Sequence, residues 1–280
     1  MIALRNMMTA AALWLALPAV FVPAQALVDG PWIDMEPARY RMIAAEVDGQ
    51  AYAALEVELK PGWHTYWRYP GASGLEPEFD FAESRGVAAG KPLFPAPYFF
   101  DDGVGGFNGY EGRAGFVFPL RFELNGELNM RGMIGVCREV CVPMEVAQKL
   151  VFNRDGLAAS PHRGAIKALL QAQPQEPSDD LVIRSASFDG VSLQLVVSGT
   201  ALETVSVITI PGPHDIIGLP RIVGRDEDAF LLEIPAWSKL DHPLIGRKLT
   251  FIVRAGARAI EQNIQVRDHS LLPQEPLTRQ

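Results

Sequence analysis

Hydrophobic and polar residues alternate along most of the first half of the chain. The alternation is clearest over residues 51–59, 116–122, 128–136 and 146–152. A period of two is typical of strands that turn one face to a core and the other to water. Glycine and proline crowd the connections, as at residues 60–62, and these residue types favour turns over helices. Many short strands joined by such turns predict an all-β antiparallel sandwich.

The pattern changes between residues 157 and 180. Ser160 is a suitable helix cap, Pro161 suits a first helical turn, and apolar residues follow at helical spacing within residues 166–170. A stretch rich in glutamine, proline and acidic residues then occupies residues 171–180. We expect one helix here, followed by a linker.

Alternation returns after the linker, for example over residues 191–197 and 249–253. We therefore expect two domains: a first β-domain at residues 27–156, and a second, smaller β-sandwich at residues 181–268 that has no cysteine. Residues 269–280 contain two prolines and are expected to form a tail.

The N-terminal segment, residues 1–26, has the layout of a secretory signal. Arg5 is its only charged residue, an apolar run occupies residues 7–22, and the small residues Ala24 and Ala26 stand at the −3 and −1 positions of a cleavage site. An uncleaved anchor is the alternative. No later stretch is apolar over the length that a membrane span needs, so the mature chain is expected to be soluble and outside the cytoplasm.

Composition and charge exclude several classes of protein. The 280 residues are 48% hydrophobic, which excludes a disordered chain, and they include only 2 cysteines, which excludes a small disulfide-rich scaffold. The formal net charge is −8, and no long run of lysine or arginine is present. Nucleic acids and anionic membrane surfaces attract clustered positive charge, so neither is an expected partner.

The two cysteines, Cys137 and Cys141, flank three residues that follow a predicted strand. A tight turn would bring them within disulfide distance, but so small a loop stabilises a fold by only about 2 kcal/mol. Three interpretations stay open at this point. The pair could exchange disulfides, form a permanent structural bridge, or bind Cu(I) together with Met133, Met144 and His64, which are ligands of suitable type.

Further motifs surround this pair in a fixed order. They are KPGWHTYWRYPG at residues 60–71, SGL at 73–75, GYEG at 109–112 and CREVCVP at 137–143. Together they resemble the N-terminal periplasmic domain of the DsbD/ScsB family of thiol:disulfide interchange proteins, over roughly residues 40–152. The resemblance implies an immunoglobulin-like sandwich in a periplasmic protein. Its cysteine pair would carry electrons from a membrane thiol reductase to thioredoxin-fold or other oxidised periplasmic proteins.

The resemblance also implies roles for individual residues. Cys141 matches the cysteine that forms the mixed disulfide with a partner, and Cys137 matches the resolving thiol. Relatives shield the pair with an aromatic cap, which makes Phe107 or Tyr110 the candidate here. Tyr110 could instead anchor a glycine-rich turn.

The aromatic run Trp63, His64, Tyr66 and Trp67 is interpreted as packing around a strand end, with His64 as a proton donor kept as a minor alternative. No cofactor is expected.

The sequence departs from the family in two respects. Full-length members continue into a transmembrane electron carrier and a thioredoxin-like domain, and neither is found here, so we expect the electrons to come from a separate protein. Met144 stands where relatives favour an acidic residue. The alternatives to an exchange protein are therefore a β-sandwich binding module with a structural disulfide and a Cu(I)-handling periplasmic protein.

Overall fold

A computed structural model describes the chain from residue 27 to residue 271, with short gaps. The described residues are 27–71, 74–101, 106–200, 202–212, 215–226, 228–238 and 243–271. The expected signal segment lies outside them, as does the expected tail from residue 272 onward.

The first β unit contains ten of the described strands. They are β1 (Ile33–Asp34), β2 (Ala38–Val47), β3 (Gln50–Leu59), β4 (His64–Gly71), β5 (Glu78–Asp80), β6 (Arg85–Ala89), β7 (Tyr98–Phe100), β8 (Phe107–Glu111), β9 (Arg113–Cys137) and β10 (Cys141–Asn153). The strand order is β1-β2-β3-β9-β4-β8-β7, with β5, β6 and β10 also pairing with β9. The fold is an all-β sandwich, as the alternation predicted, and it is immunoglobulin-like, as the family resemblance implied.

Strand β9 joins the two layers of this unit. Its first part pairs with β3, from Arg113 opposite Glu58 to Pro119 opposite Tyr52, and its last part pairs with β10. Side chains from β2, β3, β9 and β10 meet in one apolar core, in which the largest fully buried groups include Trp67. Burying these side chains is the main favourable term in folding. The long strand places its C-terminal residue, Cys137, at one end of the sandwich.

Two helices follow β10, and they differ from the sequence prediction. A short helix α1 (Arg154–Ala158) precedes the expected one, and α2 begins later than expected (Arg163–Gln171). Ser160 does not cap α2, because its hydroxyl donates to the backbone oxygen of Ala44 at 2.7 Å and accepts from the backbone N–H of His162. The serine therefore fastens the chain to β2, and the helix starts after it.

The second β unit is a smaller sandwich of two sheets. Its strands are β11 (Val182–Phe188), β12 (Ser192–Ser198), β13 (Ser206–Ile210), β14 (Asp215–Ile217), β15 (Arg221–Asp226), β16 (Ala229–Ser238), β17 (Lys248–Ala255), β18 (Arg258–Gln265) and β19 (Arg267–Asp268), followed by a 3-10 helix (His269–Leu271). One sheet has the order β14-β16-β12-β11-β19, with β15 beside β16, and the other has the order β13-β17-β18. Both contribute to one apolar core.

The two units contact each other directly. Arg68 of β4 pairs with Glu261 of β18 at 2.7 Å, and Arg254 of β17 donates to the backbone oxygen of Ala96 at 2.7 Å. The expected linker lies along this junction, since Gln175 bonds to the backbone on either side of Ile260. Within the described part of the chain, no helix is long and apolar enough to cross a membrane.

Candidate functional site

The two cysteines form a disulfide at the tip of the β9–β10 hairpin. Cys137 ends β9 and Cys141 begins β10, and the two are opposite one another in the strand register. Their Cα atoms are 4.1 Å apart, and the three turn residues between them, 138–140, are exposed. The prediction that a tight turn brings these thiols together is confirmed.

The two sulfur-bearing residues differ strongly in exposure. Cys137 is only 2% exposed and belongs to a small cluster with Tyr66, Phe107 and Phe100, whereas Cys141 is exposed. An incoming sulfur atom therefore reaches Cys141 first. Thiol–disulfide exchange depends on which sulfur is accessible, so this difference distinguishes the chemistry available to each residue.

A buried tyrosine hydroxyl lies against both sulfurs. The hydroxyl of Tyr66 donates to Cys137 Sγ at 2.8 Å and is 3.1 Å from Cys141 Sγ. The side chain is 3% exposed. An O–H group at this position stabilises negative charge that develops on either sulfur, because a hydrogen bond to the charged form favours that form. The aromatic run predicted only packing for Tyr66, and its hydrogen bond to sulfur was not part of that prediction.

Alternation along β4 explains why Tyr66 faces the disulfide. His64 and Tyr66 lie on one face of the strand, and Thr65 and Trp67 lie on the other. Trp67 is fully buried in the main core, and the Thr65 hydroxyl donates to the backbone oxygen of Gly135 at 2.8 Å. Tyr66 could therefore have been identified from the sequence by its position next to Trp67: if Trp67 faces the core, its neighbour faces the other side of the strand.

Two glycines leave the space that the Tyr66 ring occupies. A Cβ atom on Gly135 would lie 2.9 Å from a ring carbon of Tyr66, and one on Gly74 would lie 2.8 Å from the opposite edge of the ring. Both distances are shorter than real Cβ contacts. The ring is held between two backbone segments, which fixes the direction of its hydroxyl toward the sulfurs.

His64 and the cysteines form a row across neighbouring strands. Glu111 of β8 pairs with His64 of β4, His64 pairs with Cys137, and Cys137 pairs with Cys141. The His64 ring is stacked on Phe107, with ring centroids 3.8 Å apart and planes inclined by 14°. The imidazole is thus packed among the aromatic residues around the disulfide, in keeping with its interpretation as packing around a strand end.

Only one of the two candidate cap residues lies beside the disulfide. Phe107 is 9% exposed, packs in the cluster of Cys137, and meets Tyr66 edge to face at 5.7 Å. Its other face is stacked on Phe100 at 4.8 Å. The glycine that begins the candidate cap stretch, at position 105, is outside the described residues.

Tyr110 lies in the main core instead, and the structure does not bring it to the cysteines. Residues 107 and 110 of one strand point to opposite faces because they are an odd number of positions apart. The Tyr110 hydroxyl donates to the backbone oxygen of Pro95 at 2.8 Å. Burial raises the pKa of Tyr110 well above its ordinary value, although Arg68 and Arg254 oppose this effect. Its position fits the alternative of an anchor.

The two methionines considered as Cu(I) ligands do not converge on the cysteines, although His64 lies beside Cys137. Met144 is 1% exposed and lies in the main core, on the opposite face of β10 from Cys141. Met133 is opposite Glu145 in the strand register, four positions along β9 from Cys137. Among the described residues, no group of three or more histidine, cysteine, aspartate or glutamate side chains could hold a metal ion.

Comparisons with known proteins agree with this geometry. Residues 32–153 match the sequence profile of the N-terminal part of the thiol:disulfide interchange protein DsbD. The fold is similar to the crystal structure of the N-terminal periplasmic domain of ScsB from Proteus mirabilis, with a TM-score of 0.72 and 21% identity over 87% of this chain and 100% of that chain. No curated protein sequence matches the chain.

The structural likeness extends past the matched profile, because 87% of the chain is far more than residues 32–153. At this level of identity it shows a shared fold. The profile covers the strands that carry the disulfide, Tyr66 and Phe107. Residues 32–153 of this chain therefore match the family model of the DsbD N-terminal domain of thiol:disulfide interchange proteins.

Proposed function

We propose that the chain is a periplasmic thiol:disulfide interchange protein that relays reducing equivalents through Cys137 and Cys141. The observation that carries this proposal is an accessible sulfur, Cys141, bonded to a buried one under a tyrosine hydroxyl. Exchange requires a sulfur that a partner can reach, and Cys141 meets that requirement. A permanent bridge would add only about 2 kcal/mol of stability across so small a loop.

The transfer of electrons to a partner occurs in two steps. The Cys141 thiolate attacks a partner disulfide, forming a mixed disulfide and releasing one partner thiolate. Cys137 then attacks Cys141 as a thiolate, which closes the Cys137–Cys141 disulfide and releases the second partner thiolate. Two electrons and two protons move in total, because the two thiols of this protein are oxidised to a disulfide and the partner disulfide is reduced to two thiols. The same steps in reverse reload the pair from a donor dithiol.

Tyr66 serves both steps. Its hydroxyl lies within 3.1 Å of either sulfur, so it can donate to whichever sulfur carries negative charge at that moment. Because the hydroxyl is buried and its ring is fixed between two glycines, no rearrangement is needed as the charge develops. Phe107, packed beside Cys137, covers the buried side of the disulfide and acts as the cap.

The expected partners follow from the family. The matched profile names a thiol:disulfide interchange protein, and the similar structure is described as a periplasmic domain. We propose a membrane thiol reductase as the electron donor and thioredoxin-fold or other periplasmic disulfide proteins as acceptors. No cofactor is required, because the two sulfurs carry both electrons.

A trapping experiment with a defined partner tests the proposal. Cys137→Ser leaves Cys141 without its resolving thiol, so mixing this variant with an oxidised thioredoxin should accumulate a covalent complex on a non-reducing gel. Dithiothreitol should reduce the mixed disulfide and release the two proteins from the complex. Cys141→Ser is the matched control and should give none, because the remaining thiol is buried. Absence of any complex from Cys137→Ser would favour a structural disulfide.

A further inference from the structure

An arginine of the second β unit contacts the segment of the first unit that leads into β7. Arg254, on β17, donates to the backbone oxygens of Ala96 and Pro97 at 2.7 and 3.4 Å. Its guanidinium lies over the ring of Tyr98, 4.0 Å from the centroid. One side chain therefore bonds to the backbone before β7 and stacks on the first residue of that strand.

The segment that Arg254 contacts has few other ways to satisfy its backbone. Pro95 and Pro97 have no N–H to donate, and the Pro95 oxygen accepts from the Tyr110 hydroxyl. The N–H of Ala96 bonds to the backbone oxygen of Ala172. Buried carbonyl groups require hydrogen-bond donors. The Arg254 guanidinium supplies the donors that the backbone N–H groups of a neighbouring strand would otherwise supply.

Strand β7 connects this segment to the disulfide. It has three residues and stands at the end of the sheet, with β8 as its neighbour. Phe100, its last residue, is opposite Phe107 in the register and is stacked on it at 4.8 Å. Phe107 is in turn stacked on His64 and packed beside Tyr66. The contacts are continuous from Arg254 to the residues around the sulfurs.

We propose that Arg254 is a positioning residue for the redox site, acting through β7 and Phe107. A three-residue edge strand has little stability of its own, and such segments open at low free-energy cost unless they are held. By holding β7, Arg254 keeps Phe100 under Phe107 and so keeps the cap against the disulfide. The second unit thereby controls how readily a reductant reaches the sulfurs. This proposal rests on the proposed function, because the disulfide must be one that opens.

A second contact between the units provides the matched control. Arg68 pairs with Glu261 at 2.7 Å, and this ion pair joins the units without touching β7. Both side chains of the pair are about one-third exposed, at 35% and 31%. Glu261→Gln therefore weakens the junction while leaving the contact between Arg254 and β7 in place.

The test compares reduction rates of the Cys137–Cys141 disulfide in the full chain, with dithiothreitol as the probe. Arg254→Ala should raise the second-order rate at least about threefold, because a loosened β7 uncovers Cys137, the sulfur that Phe107 packs against. Glu261→Gln should leave the rate unchanged, and Arg254→Lys, which keeps the charge but not the two-carbonyl geometry, should be intermediate. A double variant with Phe107→Ala should be no faster than Phe107→Ala alone, since both changes act at one place.

Two results would overturn the proposal. One is an Arg254→Ala rate equal to that of the wild type in a protein whose circular dichroism is unchanged; the other is additive effects of Arg254→Ala and Phe107→Ala. If Arg254→Ala does not fold, Tyr98→Ala is the substitute, because it removes the stacking partner at a side chain that is 53% exposed. A wild-type disulfide that opens in dithiothreitol but never traps an oxidised thioredoxin would count against the proposed function alone.

Discussion

The two β units contain the same kind of hairpin, and the hairpin of the first unit carries the disulfide. In the first unit, β9 and β10 meet at Cys137 and Cys141 across three turn residues. In the second, β17 and β18 meet at Ala255 and Arg258 across two. Both hairpins are long and regularly paired, so the strands themselves do not distinguish the reactive tip from the inert one.

The difference lies in what neighbouring strands bring to each tip. At the first, β4 supplies Tyr66, whose hydroxyl contacts both sulfurs, and β8 supplies Phe107. At the second, Arg258 donates to the backbone oxygens of Asp180 and Thr200, which fastens the hairpin to the chain beside it. At the first tip, a hydroxyl donor and an aromatic ring converge on a disulfide, whereas at the second the Arg258 side chain satisfies backbone groups.

The largest expected effect concerns the two sulfurs of the reactive hairpin. Oxidised glutathione should modify the single thiol of Cys137→Ser on the order of 100-fold faster than that of Cys141→Ser, because Cys137 is buried and Cys141 is exposed. Mass spectrometry of the glutathione adduct over time measures both rates. Equal rates would mean that exposure does not assign the attacking sulfur.

Removing the Tyr66 hydroxyl should have the next largest effect, on the reactivity of Cys141. In the Cys137→Ser background, Tyr66→Phe should slow alkylation of Cys141 by iodoacetamide about tenfold at neutral pH, because a hydrogen bond to a charged group contributes roughly 1.5–3 kcal/mol. The midpoint of the rate against pH should rise, since the thiolate loses its donor. Tyr110→Phe is the control, because its hydroxyl bonds to Pro95 and not to sulfur. Equal slowing in both variants would assign the effect to general destabilisation.

A smaller effect is expected from crowding the Tyr66 ring. Gly135→Ala would place a methyl group 2.7 Å from Leu75 Cβ and 2.9 Å from the Tyr66 ring. It should lower the free energy of unfolding by about 1–3 kcal/mol and slow exchange. Gly164→Ala in α2 meets nothing within 4 Å and should stabilise the protein by about 0.5–1 kcal/mol. Urea unfolding measures both, and a neutral Gly135→Ala would show that the ring has room to move.

The smallest effect on exchange is expected from Asp215 of the second unit, whose protonation in acid should affect stability alone. Burial raises the pKa of Asp215, but hydrogen bonds from Arg247, Ser238 and the Gly212 N–H outweigh it, so the pKa is lowered. A carboxyl with a lowered folded-state pKa contributes stability above its unfolded pKa and loses it as pH falls through the folded value.

Asp215→Asn should therefore cost about 1–3 kcal/mol at neutral pH, less at pH 3, and nothing in the rate of disulfide exchange. Chemical unfolding measures the free energy of unfolding at neutral pH and at pH 3, and reduction by dithiothreitol measures the rate of disulfide exchange. A changed rate would mean that the two units are coupled through more than the contact at Arg254.

Much of the fold could be predicted because burial of one strand face leaves a local pattern in the sequence. The strands around residues 51–59 and 146–152 follow that pattern, and the closeness of Cys137 and Cys141 follows from a turn of three residues. The start of α2 could not be predicted in the same way. Ser160 has the right chemistry for a cap, but its hydroxyl donates a hydrogen bond to the backbone oxygen of Ala44, a residue far away in the sequence.

The surroundings of the disulfide were harder to predict than the disulfide itself. Tyr66 belongs to an aromatic run in which packing and function look alike, and only the burial of Trp67 on the opposite face shows which way Tyr66 points. Phe107 and Tyr110 are both candidates for the cap from the sequence. The structure distinguishes them because they lie on opposite faces of β8, Phe107 beside Cys137 and Tyr110 in the main core. The role of Arg254 depends on a contact between the units, which no local pattern records.

The measurement that tests the central claim most directly is the reduction potential of the Cys137–Cys141 disulfide. Equilibrating the full chain in a series of glutathione or dithiothreitol redox buffers and quenching with a maleimide gives the reduced fraction at each potential. If the pair exchanges disulfides, the potential should lie between about −270 and −120 mV, the range spanned by thioredoxin, the isomerases and the periplasmic oxidant. A value below about −300 mV would be that of a structural bridge and would contradict the account.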